Sequence, residues 1–342
     1  MEKMTSIVFD SAGPPSVLYA IDKELPQPGP GEVLIEMTSV GVNFIDVYLR
    51  SGQLPGELHS QSGIGVEGVG RIAALGGGVQ EFSIGDRVAT VGGAPGSYST
   101  HRLFPQERVL PLPAEVADDI AAALLFKGLT VEYLINRCFP VQAGQTVLWH
   151  AAAGGIGRIA GQWLIHKGAN LIGVVGSEDK RATAETNGFD NVLLSSSPSF
   201  GEDVQALTGG QGVDVAYDSV GAATFDQSLK ALKPRGTLVL FGNASGKVDG
   251  FDTSRLGAQG SVYLTRPSIA HYIADQDEFR MAAGTVLTAI REGIIRAGKI
   301  NRFELSEAAE VHRALEGRQL VGPTIMSPAA AARKGGQHAK VE

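Results

Sequence analysis

The fold is decided by one stretch, Thr146-Val147-Leu148-Trp149-His150-Ala151-Ala152-Ala153-Gly154-Gly155-Ile156-Gly157. Its first five residues are a mostly apolar run typical of a buried strand, and apolar residues then recur at helical spacing as far as Gly168. The turn between them follows the dinucleotide-binding pattern G-x-G-x-x-G, except that Ala152 stands at the first position. The stretch therefore predicts a strand, a phosphate-binding turn and a helix.

This turn also predicts which groups would hold a pyrophosphate. Gly154 lets the backbone approach the phosphates closely, and Gly157 lets the helix pack tightly on the strand. The N–H groups and positive dipole end of the helix favour an anion there. We expect contacts from Ala153, Gly154, Gly155, Ile156 and Gly157. The alternative is a tight strand–helix turn that binds no ligand.

The end of the next predicted strand indicates which dinucleotide binds. An NAD site usually has an acidic residue there for the ribose 2′-hydroxyl, but this chain has Gly176 and Ser177, followed by Lys180. A hydroxyl and an ammonium suit a 2′-phosphate, which favours NADPH. Glu178 and Asp179 lie between them and keep NADH as an alternative. In the other interpretation Ser177 caps the next helix and Lys180 is solvated.

The pattern along the chain predicts the fold class. Between residues 126 and 264, strand candidates alternate with helices, which is typical of a doubly wound parallel sheet of the Rossmann type within an α/β protein. These candidates lie at 146–150, 171–175, 191–194, 213–217, 237–241 and 261–264. Residues 1–125 instead predict short strands of an irregular barrel. Later residues predict a long helix over 276–295, a helix capped by Ser306 and a disordered tail over 327–342.

Composition excludes several classes. With 29 Lys+Arg and 36 Asp+Glu in 342 residues, the net charge is −7, which argues against a dedicated nucleic-acid binder. Cys138 is the only cysteine, so the chain has neither an internal disulfide nor a four-cysteine zinc lobe. No signal-peptide pattern and no uncharged apolar run of about 18 residues is present. We therefore expect a cytoplasmic protein without a membrane partner.

Several separated stretches, in the same order, carry a family resemblance. They are Gly41-Val42-Asn43-Phe44-Ile45-Asp46-Val47-Tyr48, Gly63-Ile64-Gly65-Val66-Glu67-Gly68, Phe126-Lys127-Gly128-Leu129-Thr130, the glycine turn, Tyr217-Asp218-Ser219-Val220-Gly221, Phe241-Gly242-Asn243 and Thr265-Arg266-Pro267-Ser268. Over about residues 5–326, the chain resembles the zinc-free NADPH:quinone oxidoreductases (zeta-crystallin-like) of the medium-chain dehydrogenase/reductase superfamily.

The resemblance implies a domain plan and an activity. It implies a mostly β GroES-like catalytic domain over 1–125, an NAD(P)-binding Rossmann domain over 126–264 and a return to the catalytic domain over 265–326. It further implies a homodimer formed through edge strands, for which 261–264 is the candidate. The implied activity is NADPH-dependent reduction of a quinone or a related conjugated carbonyl compound.

The resemblance also excludes zinc. Zinc-dependent relatives have Cys where this chain has Asn43 and His where it has Val66. Without a Lewis acid to stabilise an alkoxide, alcohol oxidation is disfavoured and an electron-poor acceptor is favoured. The alternative enzyme on the same fold is an NADPH-dependent enone or enal double-bond reductase. The alternative of another class is a non-catalytic nucleotide- or RNA-binding protein.

Roles for individual residues follow from the same resemblance. Asn43 would contact the nicotinamide amide, Tyr48 would line the acceptor site, and Lys127 would lie by the nicotinamide ribose; these three are the candidate catalytic residues. The remaining candidate cofactor contacts are Phe44, Asp46, Thr130, Ser195, Ser219, Phe241, Gly242, Ser245, Arg266 and Arg318. Ser195 stands where close relatives commonly have Tyr, which weakens the predicted NADPH preference, and a second tyrosine of the acceptor site is replaced near Leu54.

Overall fold

The computed structural model describes residues 2–54 and 59–328. Within these residues the strands are β1 (Lys3–Phe9), β2 (Tyr19–Glu24), β3 (Glu32–Gly41), β4 (Ser62–Gly63), β5 (Glu67–Leu75), β6 (Arg87–Val91), β7 (His101–Pro105), β8 (Val109–Pro111), β9 (Thr146–His150), β10 (Asn170–Val175), β11 (Asn191–Leu194), β12 (Val213–Asp218), β13 (Leu232–Leu240), β14 (Tyr263–Thr265), β15 (Asn301–Glu304) and β16 (Thr324–Ser327).

The α-helices are α1 (Phe44–Arg50), α2 (Asp118–Glu132), α3 (Gly155–His166), α4 (Arg181–Thr186), α5 (Phe200–Leu207), α6 (Phe225–Lys230), α7 (Ser254–Ala258), α8 (Ile269–Tyr272), α9 (Gln276–Arg291) and α10 (Ala308–Glu316). A π-helical segment, Tyr133–Cys138, follows α2, and 3-10 turns occur at Pro15–Val17, Gln106–Arg108, Glu178–Lys180 and Leu305–Glu307. No helix in the described part of the chain is long and apolar enough to cross a membrane.

The chain divides into two compact units. The first comprises Met1–Phe126 with Gly298–Glu342, and the second comprises Lys127–Ala297. The second unit therefore runs past residue 264, where the dinucleotide domain was expected to end. The reason is that α9 packs closely on α2: a Cβ at Gly128 would lie only 2.5 Å from Cγ1 of Val286.

The first unit is mostly β, as the GroES-like prediction requires. One sheet has the order β2-β1-β4, and a seven-stranded sheet has the order β15-β16-β3-β5-β6-β8, with β7 also paired to β3. Its core is formed by alternating apolar residues of these strands, among them Val33, Ile35 and Met37 of β3. Residues from both ends of the chain thus form one sheet.

The second unit is a six-stranded parallel sheet with the order β11-β10-β9-β12-β13-β14. Numbered from its own first strand, this is the order 3-2-1-4-5-6 of a dinucleotide-binding fold, which confirms the predicted fold class. The order reverses between β9 and β12. Ligands of such sheets bind at the carboxyl ends of the strands at this point.

Several predicted boundaries differ from the structure, among them the helix predicted over 276–295, which ends at Arg291, and three of them have local reasons. Ser261 has a φ of +59°, outside the extended region, so the last strand begins at Tyr263. The last helix begins at Ala308, not at a Ser306 cap, because Glu307 Oε2 accepts from Glu304 N at 2.6 Å and closes a 3-10 turn before it. Ser327 belongs to β16, and residues 329–342 of the predicted tail lie outside the described residues.

Candidate functional site

The turn after β9 has the geometry that its glycines predict. Ala151 adopts a φ of +52°, and Gly154 N donates to Ala151 O at 2.8 Å. A Cβ at Gly157 would lie 2.5 Å from Ala151 O and 2.7 Å from Ala152 O, closer than real Cβ contacts. Only glycine therefore allows α3 to begin against the turn, with its first N–H groups at the carboxyl edge of the sheet.

Lys127 and Thr130 lie one turn apart on α2, and Lys127 packs on the start of α3. Both are buried, with Lys127 8% exposed. Cδ and Cε of Lys127 lie 3.4 Å from the Cβ position of Gly155, so the aliphatic part of the lysine covers this glycine. The structure thus brings a cationic side chain to the residue that begins α3.

The residues after β10 leave two polar groups available. Ser177 precedes the Glu178–Lys180 turn without capping it through its side chain. Within the described part of the chain, neither the Ser177 hydroxyl nor the Lys180 ammonium has a hydrogen-bond partner. Arg181 Nε instead donates to Glu178 Oε1 at 2.6 Å, and this hydrogen bond lowers the pKa of Glu178. One of the two intervening carboxylates is therefore already paired.

Two further predicted residues lie next to this segment. Ser195 follows β11, and its N–H donates to Val175 O at 2.9 Å. Gly176 has no heavy atom within 4 Å of its Cβ position, so the space above it is open. The structure therefore brings Gly176, Ser177, Lys180 and Ser195 together at the end of β10.

The loops after β12 and β13 are held close to each other. A Cβ at Gly242 would lie 2.4 Å from Ser219 O, so only glycine permits this approach. The Ser245 hydroxyl donates to Val220 O at 2.8 Å and accepts from Ala223 N at 3.0 Å. Ser245 thus fastens one loop to the other, which the sequence analysis did not anticipate.

Phe241 and Arg266 complete this side of the second unit. The Phe241 ring centroid lies 5.7 Å from that of Trp149 on β9. The Arg266 guanidinium is exposed, and its Nη2 donates to Asn243 Oδ1 at 3.1 Å. Both residues therefore lie by the loop that follows β13.

In the first unit, Asn43 belongs to a buried polar cluster. Its N–H donates to Asp46 Oδ2 at 2.9 Å, and its Nδ2 donates to Glu67 Oε2 at 2.7 Å. Glu67 Oε1 accepts from Phe126 N at 2.7 Å. Asp46 and Glu67 are both buried. The Asp46 carboxylate is thus buried and holds the start of α1.

Two aromatic residues lie on the outer side of α1. Phe44 is 40% exposed, and its ring packs edge-to-face on Tyr48 with centroids 5.2 Å apart. Phe44 and Tyr48 on α1 thus offer an accessible aromatic surface next to Asn43.

Arg318, also in the first unit, is exposed and has a φ of +56° just after α10.

Sequence reasoning missed two buried polar residues that support α1. Tyr98 OH donates to Asp46 Oδ2 at 3.0 Å and lies 3.2 Å from His312 Nε2. Burial, together with the charge of Arg50, lowers the pKa of His312 to about 3. Nothing in the local sequence could reveal this cluster, because Tyr98 and His312 are 214 positions apart.

The cluster around Asn43 does not suit a zinc ion. The position expected for a cysteine ligand holds an amide whose Nδ2 points at Glu67, and the position expected for histidine holds Val66. Both Glu67 oxygens already accept hydrogen bonds. Among residues 2–54 and 59–328, no group of three or more His, Cys, Asp or Glu side chains is placed to hold a metal.

Comparison with known proteins extends these observations. The zinc-binding dehydrogenase family model matches residues 155–282, and the alcohol dehydrogenase GroES-like domain model matches residues 29–114. The quinone oxidoreductase of Pseudomonas aeruginosa is 39% identical over 94% of this chain and 99% of its own. The 2-haloacrylate reductase of a Burkholderia species is 36% identical over 96% of this chain and 99% of its own.

A solved structure is similarly close. The Escherichia coli quinone oxidoreductase complexed with NADPH has a TM-score of 0.90 and 37% identity, covering 95% of this chain and 100% of that chain. At this similarity the relationship includes both compact units, since the matched length is nearly the whole of each protein.

Proposed function

Because the chain belongs to the quinone oxidoreductase family of the medium-chain dehydrogenases/reductases, we propose that it reduces quinones with NADPH and without zinc. The observation that carries this proposal is the glycine turn after β9. It lies where the strand order of the parallel sheet reverses, and a Cβ at Gly157 would clash with it. A related structure contains NADPH.

The second unit would bind the dinucleotide along the carboxyl edge of its sheet. Residues 153–157 hold the pyrophosphate with backbone N–H groups at the start of α3. Lys127 adds a positive charge beside Gly155, and Thr130 lies one helical turn further on. Ser219, Phe241, Gly242 and Ser245 line the edge formed by β12 and β13, and Arg266 and Arg318 are proposed to contact the phosphates or the nicotinamide.

The residues after β10 support NADPH over NADH. A 2′-phosphate would accept from the Ser177 hydroxyl and pair with the Lys180 ammonium, both of which lack partners in the described part of the chain. Gly176 leaves open space beside them, and Ser195 lies at the end of the neighbouring strand. The pairing of Glu178 with Arg181 reduces the repulsion that a phosphate would otherwise meet.

The first unit would hold the nicotinamide end of the cofactor and the acceptor. When bound, the reduced nicotinamide supplies a hydride to the acceptor. Asn43, fixed by Glu67 and Asp46, is proposed to orient the nicotinamide amide with little loss of side-chain entropy on binding. Phe44 is proposed to contact the cofactor, and the half-buried Tyr48 to pack on the planar acceptor. These residues bind and orient the reactants, which is the main source of rate enhancement we assign to the protein.

Zinc has no part in this proposal, because the donor set does not fit it. A quinone holds the incoming negative charge on its own oxygen atoms, so no Lewis acid is needed to stabilise an alkoxide. Asn43 and Val66 at the two ligand positions support this assignment.

A second candidate activity is the reduction of an enone or enal double bond. The observation that favours it is the 36% identity to a 2-haloacrylate reductase over nearly the full length of both chains. An activated double bond resembles a quinone in that it holds negative charge on its own conjugated system. The two activities therefore require the same cofactor site and differ in the acceptor.

The test is a titration followed by an acceptor screen. Fluorescence titration with NADPH and NADH measures cofactor binding, and kcat/KM for a benzoquinone is then compared with kcat/KM for a 2-haloacrylate and a simple enone. We expect tighter binding of NADPH and the higher kcat/KM with the quinone. A higher value with the haloacrylate would select the second activity, and NADPH binding without turnover of any acceptor would refute both.

We further propose a homodimer formed through β14. This strand lies at one end of the parallel sheet, where it pairs with β13 in the described part of the chain. Its Tyr263 is 63% exposed. An exposed edge strand with a large apolar residue is a typical site of strand pairing between subunits.

A further inference from the structure

A buried chain of three side chains links the ends of β9 and β12. His150 is the last residue of β9, and Asp218 is the last residue of β12, its neighbour in the sheet. Ser228 of α6 lies between them. Its Oγ is 2.8 Å from His150 Nε2 and 2.8 Å from Asp218 Oδ2. All three side chains are buried, with relative exposures of at most 1%.

The direction of these hydrogen bonds can be derived. Burial lowers the pKa of His150, and the nearby Asp218 carboxylate offsets this only in part, so the imidazole is neutral. Burial alone would raise the pKa of Asp218, but the hydrogen bonds that its carboxylate accepts lower it, so Asp218 is ionised. Asp218 Oδ2 and Thr224 O, which lies 2.9 Å from the same hydroxyl, can only accept, so the Ser228 hydroxyl donates on that side and accepts from His150 Nε2–H. The donor-to-acceptor direction of the two hydrogen bonds is therefore from His150 through Ser228 to Asp218.

At the Asp218 end, these hydrogen-bonded side chains hold a loop of the candidate site in place. Asp218 Oδ1 accepts from Val220 N at 2.8 Å and from Gly221 N at 3.0 Å. These bonds fold the backbone back over the end of β12, and Gly221 has the φ of +93° that this fold requires. Ser219 is enclosed by them. At its near end, His150 directly precedes the glycine turn.

We propose that His150, Ser228 and Asp218 are positioning residues that hold the turn after β9 and the loop after β12 in a fixed arrangement before the dinucleotide binds. This inference rests on the proposed function, since it assigns the three residues to NADPH binding. None of them touches the cofactor in this arrangement, because all are buried beneath the two loops. Their contribution is to reduce the ordering that binding would otherwise require.

The main test is the Ser228→Ala variant, which removes the hydroxyl that links His150 to Asp218. We expect its Kd and KM for NADPH to rise about tenfold, corresponding to about 1.4 kcal/mol. We expect kcat at saturating NADPH and the KM for the quinone to stay within about twofold, because the loops still reach the bound arrangement. A variant with wild-type affinity for NADPH would overturn the proposal.

The matched control is Thr208→Val. Thr208 also carries a hydroxyl with three protein partners in the second unit, Val204 O at 2.9 Å, Gln205 O at 3.0 Å and Gly212 N at 2.8 Å. It lies between α5 and the start of β12, at the opposite edge of the sheet. We expect it to lower stability without changing the Kd for NADPH. An equal loss of affinity in both variants would mean that general destabilisation explains the effect.

A measurement on the wild-type protein keeps the proposal testable if Ser228→Ala does not fold. Hydrogen exchange should show the amides of Val220 and Gly221 protected in the absence of cofactor, with little added protection from NADPH. Rapid exchange that slows only when NADPH is added would contradict a fixed arrangement. Absence of NADPH binding to the wild type would instead refute the proposed function itself.

Discussion

The Gly157→Ala substitution tests the steric argument for the glycine turn. The added methyl group would meet two backbone oxygens, Ala151 O at 2.5 Å and Ala152 O at 2.7 Å, whereas ordinary contacts begin at 3.4 Å. Backbone atoms cannot rotate away as a flexible side chain can. The start of α3 and the turn must therefore move apart, which displaces the N–H groups proposed to hold the pyrophosphate.

The change in the free energy of unfolding follows from two opposing effects. Alanine favours the helix over glycine by about 1 kcal/mol, whereas overpacking costs about 1–3 kcal/mol, so the free energy of unfolding should fall by about 0–2 kcal/mol. Displacing positioned groups by on the order of 1 Å can cost about 100-fold in activity. We therefore expect the Kd for NADPH to rise about 10- to 100-fold in a protein that still folds.

The assay combines urea unfolding with fluorescence titration of NADPH, and Gly284→Ala is the control. Gly284 lies within α9, is exposed, and has no heavy atom within 4 Å of its Cβ position. Alanine there should raise stability by up to about 1 kcal/mol and leave the Kd unchanged. If Gly157→Ala bound NADPH as tightly as the wild type, the proposed role of the turn would be wrong.

Three other predictions concern cofactor preference, pH and assembly. Lys180→Ala should raise the KM for NADPH more than that for NADH in steady-state kinetics, and equal effects would remove its role at the 2′-phosphate. The pKa of His312 is about 6.5 in the unfolded chain and about 3 in the folded protein. Urea unfolding should therefore show the full free energy of unfolding above pH 6.5 and a loss below that pH of at most about 1.4 kcal/mol per pH unit. His312→Gln should reduce this loss and leave the share that is due to His150. Tyr263→Asp should give monomers by light scattering. The control Ile84→Asp, at a residue of the first unit that is 68% exposed, should not. An unchanged mass for Tyr263→Asp would place the interface elsewhere.

The parallel sheet could be predicted because its signals are local. The strands at 146–150 and 191–194 agree with the structure at both ends, since each is a short apolar run bounded by turn residues. The glycine turn was equally readable, because a Cβ clash depends on residues only a few positions apart. The doubly wound parallel sheet followed from the alternation of strands and helices.

The buried polar contacts could not be predicted, because their partners are distant in sequence. Asn43 and Glu67 were both noted as family positions, but their 2.7 Å hydrogen bond depends on the pairing of β3 with β5. The His150–Ser228 contact joins residues 78 positions apart. For the same reason the sequence did not reveal that the buried Asp46 carboxylate holds the start of α1.

The antiparallel pairing of β16 with β3 affects the order in which this protein can mature on the ribosome. Ile325 and Met326 pair with Gly41 and Val40, and Val42 N donates to Thr324 O at 3.0 Å, directly before Asn43. Every strand of the parallel sheet is synthesised before these last partners emerge. A nascent chain can therefore complete its parallel sheet while the backbone that leads into α1 still lacks its β16 neighbour.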